Sequence, residues 1–246
     1  MSRLIIVLIF AILAGCAPPS TLAPERSAVI RRIGVVTSVP DDTLQVFDHT
    51  GTRTIRAPFF YSNSLDSLLL GNLLSGVAES LVNMGIAKYK IDKSLGGTPD
   101  KASPLVLRDF KVALDKSIEE KLSEKYRVVS PDCFDSQGQT LHTRSQCLEK
   151  ARLLDLDTLA FIELAYGFAA YNERSASVSI DGILIAYDVA SGKIILRKEL
   201  ESDQDFREHR ALDEFTKDNG RLFKEDLHSA INAFSSYAAR QLGVWK

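Results

Sequence analysis

The residues best suited to chemistry are gathered in one stretch, 132–147, where Asp132, Cys133, Asp135, His142 and Cys147 lie close in sequence. Thiolate, imidazole and carboxylate are the donors that hold zinc, so a metal site is one reading of the stretch, although the spacing matches no familiar zinc pattern. The same carboxylates and His142, with Glu163, are also the acid-base candidates. Glu163 interrupts the apolar segment TLAFIELAY at 158–166, and a carboxyl buried there would acquire a raised pKa and serve as an acid. An edge position, a bound arginine or simple exposure accounts for a lone acidic residue equally directly. His49 falls at the tip of a turn, DHTG, with no acid-base partner beside it. Ser175, Ser177 and Ser179 alternate along a strand, and none lies in a Gly-x-Ser-x-Gly elbow. There is no Walker loop, Gly-x-Gly-x-x-Gly, His-Glu-x-x-His or Cys-x-x-Cys.

The third cysteine has different surroundings. One positive residue, Arg3, precedes an unbroken apolar run at 4–13, and Pro18, Pro19 and Ser20 follow soon after. This is the layout of a secretory leader. The run is too short to cross a hydrocarbon core, which takes about 20 apolar residues in a helix. Its end, Leu13-Ala14-Gly15-Cys16, resembles the lipobox of bacterial lipoproteins. The resemblance implies cleavage before Cys16, a diacylglycerol on its sulfur and a further acyl chain on its new amino terminus. One chain of myristoyl size anchors only reversibly, whereas several hold firmly. Ala17 is not the aspartate that marks inner-membrane retention in enteric lipoproteins, which implies the outer membrane, facing the periplasm. The expected organisation is a leader at 1–15, an acylated cysteine and tether at 16–29, and a periplasmic domain at 30–246. Residues 17–26, APPSTLAPER, with three prolines, are expected to be a stiff, extended spacer.

With Cys16 given to lipid by that resemblance, Cys133 and Cys147 remain as an even pair in an oxidising compartment, and a disulfide between them is expected. The chain is otherwise ordinary for a globular protein: 246 residues, 45% hydrophobic, 25% charged, net charge −2. No lysine- or arginine-rich block exceeds the Arg31-Arg32 pair, so the electrostatic footprint of a nucleic-acid binder is missing.

Around these residues the pattern predicts the elements that place them. IRRIGVVTSV from Ile30 reads as a buried strand, and residues 43–47 and 52–56 as a hairpin closing at Gly51. Residues 64–87 carry apolar side chains every three or four positions and one charge, Glu79, which predicts an amphipathic helix, packed in the core or presented to a partner. Residues 93–104 form a loop. A second helix follows with a seam of Leu107, Phe110, Leu114, Ile118 and Leu122, then a short strand at 126–130. Thr143 and Gln146 offer a capping box for a helix at 144–154 that holds Cys147 in its first turn. Residues 158–166 suit a central strand covered on both faces. Along 175–187, serines and Asp181 alternate with apolar residues, which predicts one wet face, and 194–200 returns as the partner strand. Residues 201–218 read as a surface connection with little core, and a last helix with Phe223, Leu227, Ile231 and Phe234 on one side ends at Gly243.

The expected fold is therefore α/β or α+β, a single domain in which helices cover a mixed sheet. The leader, the early strand, the middle helices and SVSIDGILIAYDVASGKII before a final helix resemble lipoproteins related to the curli-export lipoprotein and the TolB amino-terminal domain. That resemblance implies a non-catalytic envelope component without a cofactor, bound to the membrane through Cys16 and to an envelope protein partner or further copies of itself. The alternative is a periplasmic hydrolase or metal-dependent enzyme built on Asp132, Asp135, His142 and Glu163.

Overall fold

The structure, a computed structural model, describes residues 22–39, 45–48, 55–57, 104–133, 143–170, 175–201, 209–211, 214–216 and 221–244. The 64–87 helix, the 93–103 loop, His49, Asp135, His142 and everything before Leu22, including Cys16, lie outside them.

Two long strands form the axis. β5 (Thr158–Ala170) and β6 (Ser175–Asp188) run antiparallel in an unbroken register from Thr158↔Asp188 to Ala170↔Ala176. On the free edge of β5, β1 (Arg32–Ser38) pairs in parallel with its first half and β2 (Gln45–Asp48) in parallel with its second. β4 (Arg127–Val129) extends the sheet beyond β1, again in parallel, and β3 (Ile55–Ala57) lies antiparallel to β2. On the far edge, β7 (Ile194–Glu201) and β8 (Arg210–Ala211) pair antiparallel with opposite ends of β6. The result is one mixed eight-stranded sheet, and the α+β single-domain expectation is met.

The alternation of side chains on β5 divides the core in two. Ala160, Ile162, Leu164 and Tyr166 face one way, into a cluster with α2 (Pro104–Ser123) and α4 (Arg221–Gln241). Leu159 and Phe161 face the other way, toward α3 (Arg144–Leu153), with Cys133, Cys147, Leu148 and Ala151. Phe110, Leu114, Ile118 and Leu122 of the α2 seam are buried as its periodicity predicts, with Leu114 and Leu122 fully enclosed. α3 begins with the expected capping box: the Gln146 N–H donates to Thr143 Oγ1 at 3.4 Å, and the Thr143 N–H to Gln146 Oε1 at 3.0 Å.

Three expectations are corrected. The chain is already packed ahead of Ile30: Leu22 is 2% exposed, and residues 24–29 form a helix, α1 (Pro24–Val29), where an extended spacer was expected. Proline suits the first turn of a helix, where its missing N–H leaves no bond unmade. The serine face of β6 is not wet, since Ser177, Ser179 and Asp181 are at most 2% exposed. Their cross-strand neighbours on β5 are Ala169, Gly167 and Ala165, small enough to leave that face room for cover. Finally, the 201–218 connection contributes to the core through Phe215, which is fully buried.

Candidate functional site

Two places concentrate polar groups near an opening or a chain end. The first is a cleft of about 220 Å³ at the carboxyl ends of β1 and β4, against α2. Adjacent parallel strands place their carboxyl ends side by side, and crevices there are common ligand sites in open sheets. β1 brings Thr37, α2 brings Lys111, Asp115 and Glu119, and the chain leaving β4 brings Ser130 and Asp132. Asp115 is held from two sides. The Thr37 hydroxyl donates to its Oδ1, and Lys111 Nζ lies 3.3 Å from its Oδ2, one helical turn away. Thr37 is buried, whereas the Lys111 and Asp115 side chains are partly open to water, so the ion pair orients the carboxylate more than it stabilises the fold. Three carboxylates and one ammonium give the lining an acidic balance suited to small polar or cationic groups. The cleft's described lining supplies no imidazole.

The cysteines adjoin this cleft from below. Cys133 follows Asp132 directly and Cys147 sits in the first turn of α3; both are fully buried, and the expected disulfide between them is not formed, with Cys147 Sγ 3.9 Å from the Cys133 carbonyl oxygen. Burial pushes the Cys133 thiol far above its ordinary range, and the adjoining Cys147 adds to this. Burial also raises Cys147, against the opposing pull of Cys133 and Lys150. Burial therefore favours the protonated form of both thiols, which is a poor nucleophile. Among the described residues no group of three or more His, Cys, Asp or Glu side chains is placed to hold a metal ion.

Among the described residues the remaining sequence candidates do not converge, and Asp135, His142 and His49 lie outside those residues. Asp132 is exposed, and its carbonyl accepts from Lys150 Nζ. Glu163 is half-exposed and pairs with Arg144 Nη2 at 3.5 Å, on a partner that sequence reading offered as the plain explanation. Ser179 Oγ donates to Asp181 Oδ1 at 2.9 Å inside the protein. Lys111, Asp115 and Thr37 were missed because α2's charges read as an ordinary solvated face. The signal was available only in β1, where a threonine closes a run of apolar strand residues.

The second place is the end where the chain enters. α1 is fastened to the opposite terminus: Ser27 is buried, Lys125 Nζ donates to Ser27 Oγ at 3.1 Å and to the Gly243 carbonyl at 2.8 Å, and the Tyr126 hydroxyl donates to the Leu242 carbonyl at 2.7 Å. At the start of β1, the Arg31 and Arg32 N–H groups both donate to Asp157 Oδ2 at 2.8 Å. Residues 22–32 are thus fixed on the body through Lys125, the carboxyl end of α4 and Asp157 at the start of β5. No helix among the described residues is long and apolar enough to cross a membrane.

No protein-family model matches the chain, and no curated protein matches it. Solved structures that match include a PelC dodecamer from Paraburkholderia phytofirmans, at 9% identity and a TM-score of 0.33 over 92% of this chain and 94% of that one. The hypothetical protein CT253 from Chlamydia trachomatis matches at 10% identity and a TM-score of 0.33, over 85% and 98%. The LpoB C-terminal domain from Salmonella enterica matches at 11% identity and a TM-score of 0.18, over 77% and 87%.

Proposed function

We propose that this chain is a lipid-tethered envelope protein, held at the outer membrane through an acylated Cys16 and acting in the periplasm as a non-catalytic binding or assembly module. The observation that carries the reading is the junction between lipobox and fold. LAGC ends at Cys16, and six positions later Leu22 is buried in the core at 2% exposure. A core residue that follows so soon after such a motif fits the layout of an anchored domain. The acidic cleft is the feature of this domain that a partner's polar or cationic side chain would occupy.

The anchor is tested by the intact mass of the protein from cell membranes. A mature chain beginning at Cys16 and carrying a diacylglycerol and an amide-linked acyl chain is the expected result, and Cys16→Ala should lose both. A mature chain with a bare residue 16 would overturn the reading. The binding role is tested by crosslinking in intact cells, where a specific envelope protein, or a second copy of this chain, should be recovered and lost with Asp115→Lys. Recovery of neither sinks the module.

A further inference from the structure

If Cys16 carries lipid, only residues 17–21 separate it from the buried Leu22. Six Cα steps span no more than about 20 Å when fully extended. Because α1 is fastened to the body by Lys125, the end of the domain that holds α1 must lie within that reach of the bilayer.

That end is definable. β1 begins where α1 leads into it, and its first residues bond to Asp157 at the start of β5. The Val189 N–H donates to the Asp157 carbonyl at 3.0 Å, and Arg152 Nε to the Val189 carbonyl at 3.0 Å, which brings the end of α3 and the β6–β7 turn to the same place. Arg26 of α1 acts on Asp188 in that turn, although hydrogen bonds from Ser191 dominate there. The large hydrophobic side chains that stand exposed among the described residues are distributed unevenly. Val29, Leu153, Leu154 and Ile194 are 72%, 86%, 39% and 38% exposed, and all four belong to this end; Val112 on α2 is the fifth. Single exposed apolar residues are unremarkable, but a group on one face marks an interaction surface. Exposed Arg26, Arg31, Arg152 and Lys193 stand among them. Of the acids at the same end, Asp157 accepts two backbone N–H groups and Asp188 accepts from Ser191, Asp155 pairs with Arg32 while its side chain stays 93% exposed, and Glu25 and Glu124 are exposed.

We infer that this end is a membrane-docking face, on which Val29, Leu153, Leu154 and Ile194 enter the boundary between phospholipid headgroups and acyl chains while Arg26, Arg31, Arg152 and Lys193 lie against headgroup phosphates. The inference rests on the acylation of Cys16 for its geometry. Apolar side chains inserted at the interface, rimmed by cations, are what holds peripheral surfaces to bilayers. With this end down, β1 leads away from the bilayer, and the cleft at its carboxyl end opens toward the periplasm, about 20 Å higher.

The test uses the full acylated chain in vesicles of phosphatidylethanolamine and phosphatidylglycerol that contain brominated lipid. In a Trp245→Phe background, Leu153→Trp and Val29→Trp each report on the docking end, and Arg221→Trp on the opposite end of α4, about 30 Å away along the helix. Both docking-end reporters should be quenched roughly twofold or more beyond Arg221→Trp, because interfacial side chains sit at the depth of the bromines. Adding Leu154→Glu and Ile194→Glu should bring quenching down to the Arg221→Trp level while the protein still floats with the vesicles. Equal quenching at both ends in protein that floats overturns the docking face and leaves the anchor standing. Protein that does not float overturns the anchor, and the docking face with it.

Discussion

Lys125 Nζ donates to the carbonyl of Gly243 at 2.8 Å, tying the end of α2 to the end of α4 beside α1. Gly243 makes this possible. Its φ of +90° lets the Val244 N–H reach back to the Ala239 carbonyl at 3.0 Å, which ends α4, and its missing side chain leaves room for Ser27. A Cβ at 243 would lie 2.6 Å from Ser27 Cβ. Gly243→Ala should therefore cost about 2 kcal/mol or more in urea denaturation, from backbone strain plus the clash. Ser27→Gly in the same chain should restore only the steric part. A cost near zero would mean that α1 is not seated on Gly243.

Tyr126 gives the same junction a pH signature. Burial raises its phenol above the ordinary value of 10.0, partly offset by a hydrogen bond with Ser27. A raised pKa means that above pH 10 the folded state holds a proton that the unfolded chain has released. Stability is then complete below pH 10 and falls as pH rises beyond it. Tyr126→Phe should remove this slope and lower stability by about 1 kcal/mol at neutral pH, because the Leu242 carbonyl loses its donor. Denaturation midpoints at several pH values between 8 and 11 decide it; identical slopes for both proteins would refute the assignment.

The serine face of β6 separates a buried network from a wet surface. Ser179 and Asp181 are enclosed and hydrogen-bonded to each other at 2.9 Å. Asp181→Ala should accordingly cost about 1–3 kcal/mol, the range for a buried polar group that loses its partner. On a solvated face the same change would stay within about 0.5 kcal/mol. Thermal or urea unfolding of the single variant distinguishes the two.

That strand also shows where sequence reading succeeds and stops. The capping residues Thr143 and Gln146, the α2 seam, the β5–β6–β7 order and the Gly243 cap are local features, each written in a few consecutive residues, and the structure contains them. Burial of Ser177 and Ser179 depends on Ala169 and Gly167 across the sheet, which no window along β6 contains. The cleft is less legible still. Thr37 and Asp115 are 78 positions apart, and only the parallel pairing of β1 with β4 and the return of α2 bring them together. Leu22 is hidden in the sequence by the prolines around it, since its burial comes from both termini meeting.

The last prediction concerns Cys133 and Cys147, which the structure buries side by side without a disulfide. Protein taken from the periplasm, unfolded without reductant and alkylated, should label at neither position if oxidation there has removed both thiol hydrogens. Unfolding before labelling is necessary, because burial keeps these thiols protonated and shielded in the folded state. Reduction should then lower stability by about 3 kcal/mol, the loop-entropy value for a closed loop of about 15 residues. The reduced protein should also become less stable as pH rises above the ordinary thiol range near 9, since both folded-state pKa values are raised and the unfolded thiols ionise first. The oxidised protein should lack that slope. Two alkylated cysteines in the freshly isolated chain would instead establish a buried dithiol, and the staple between the cleft wall and α3 would have to be abandoned.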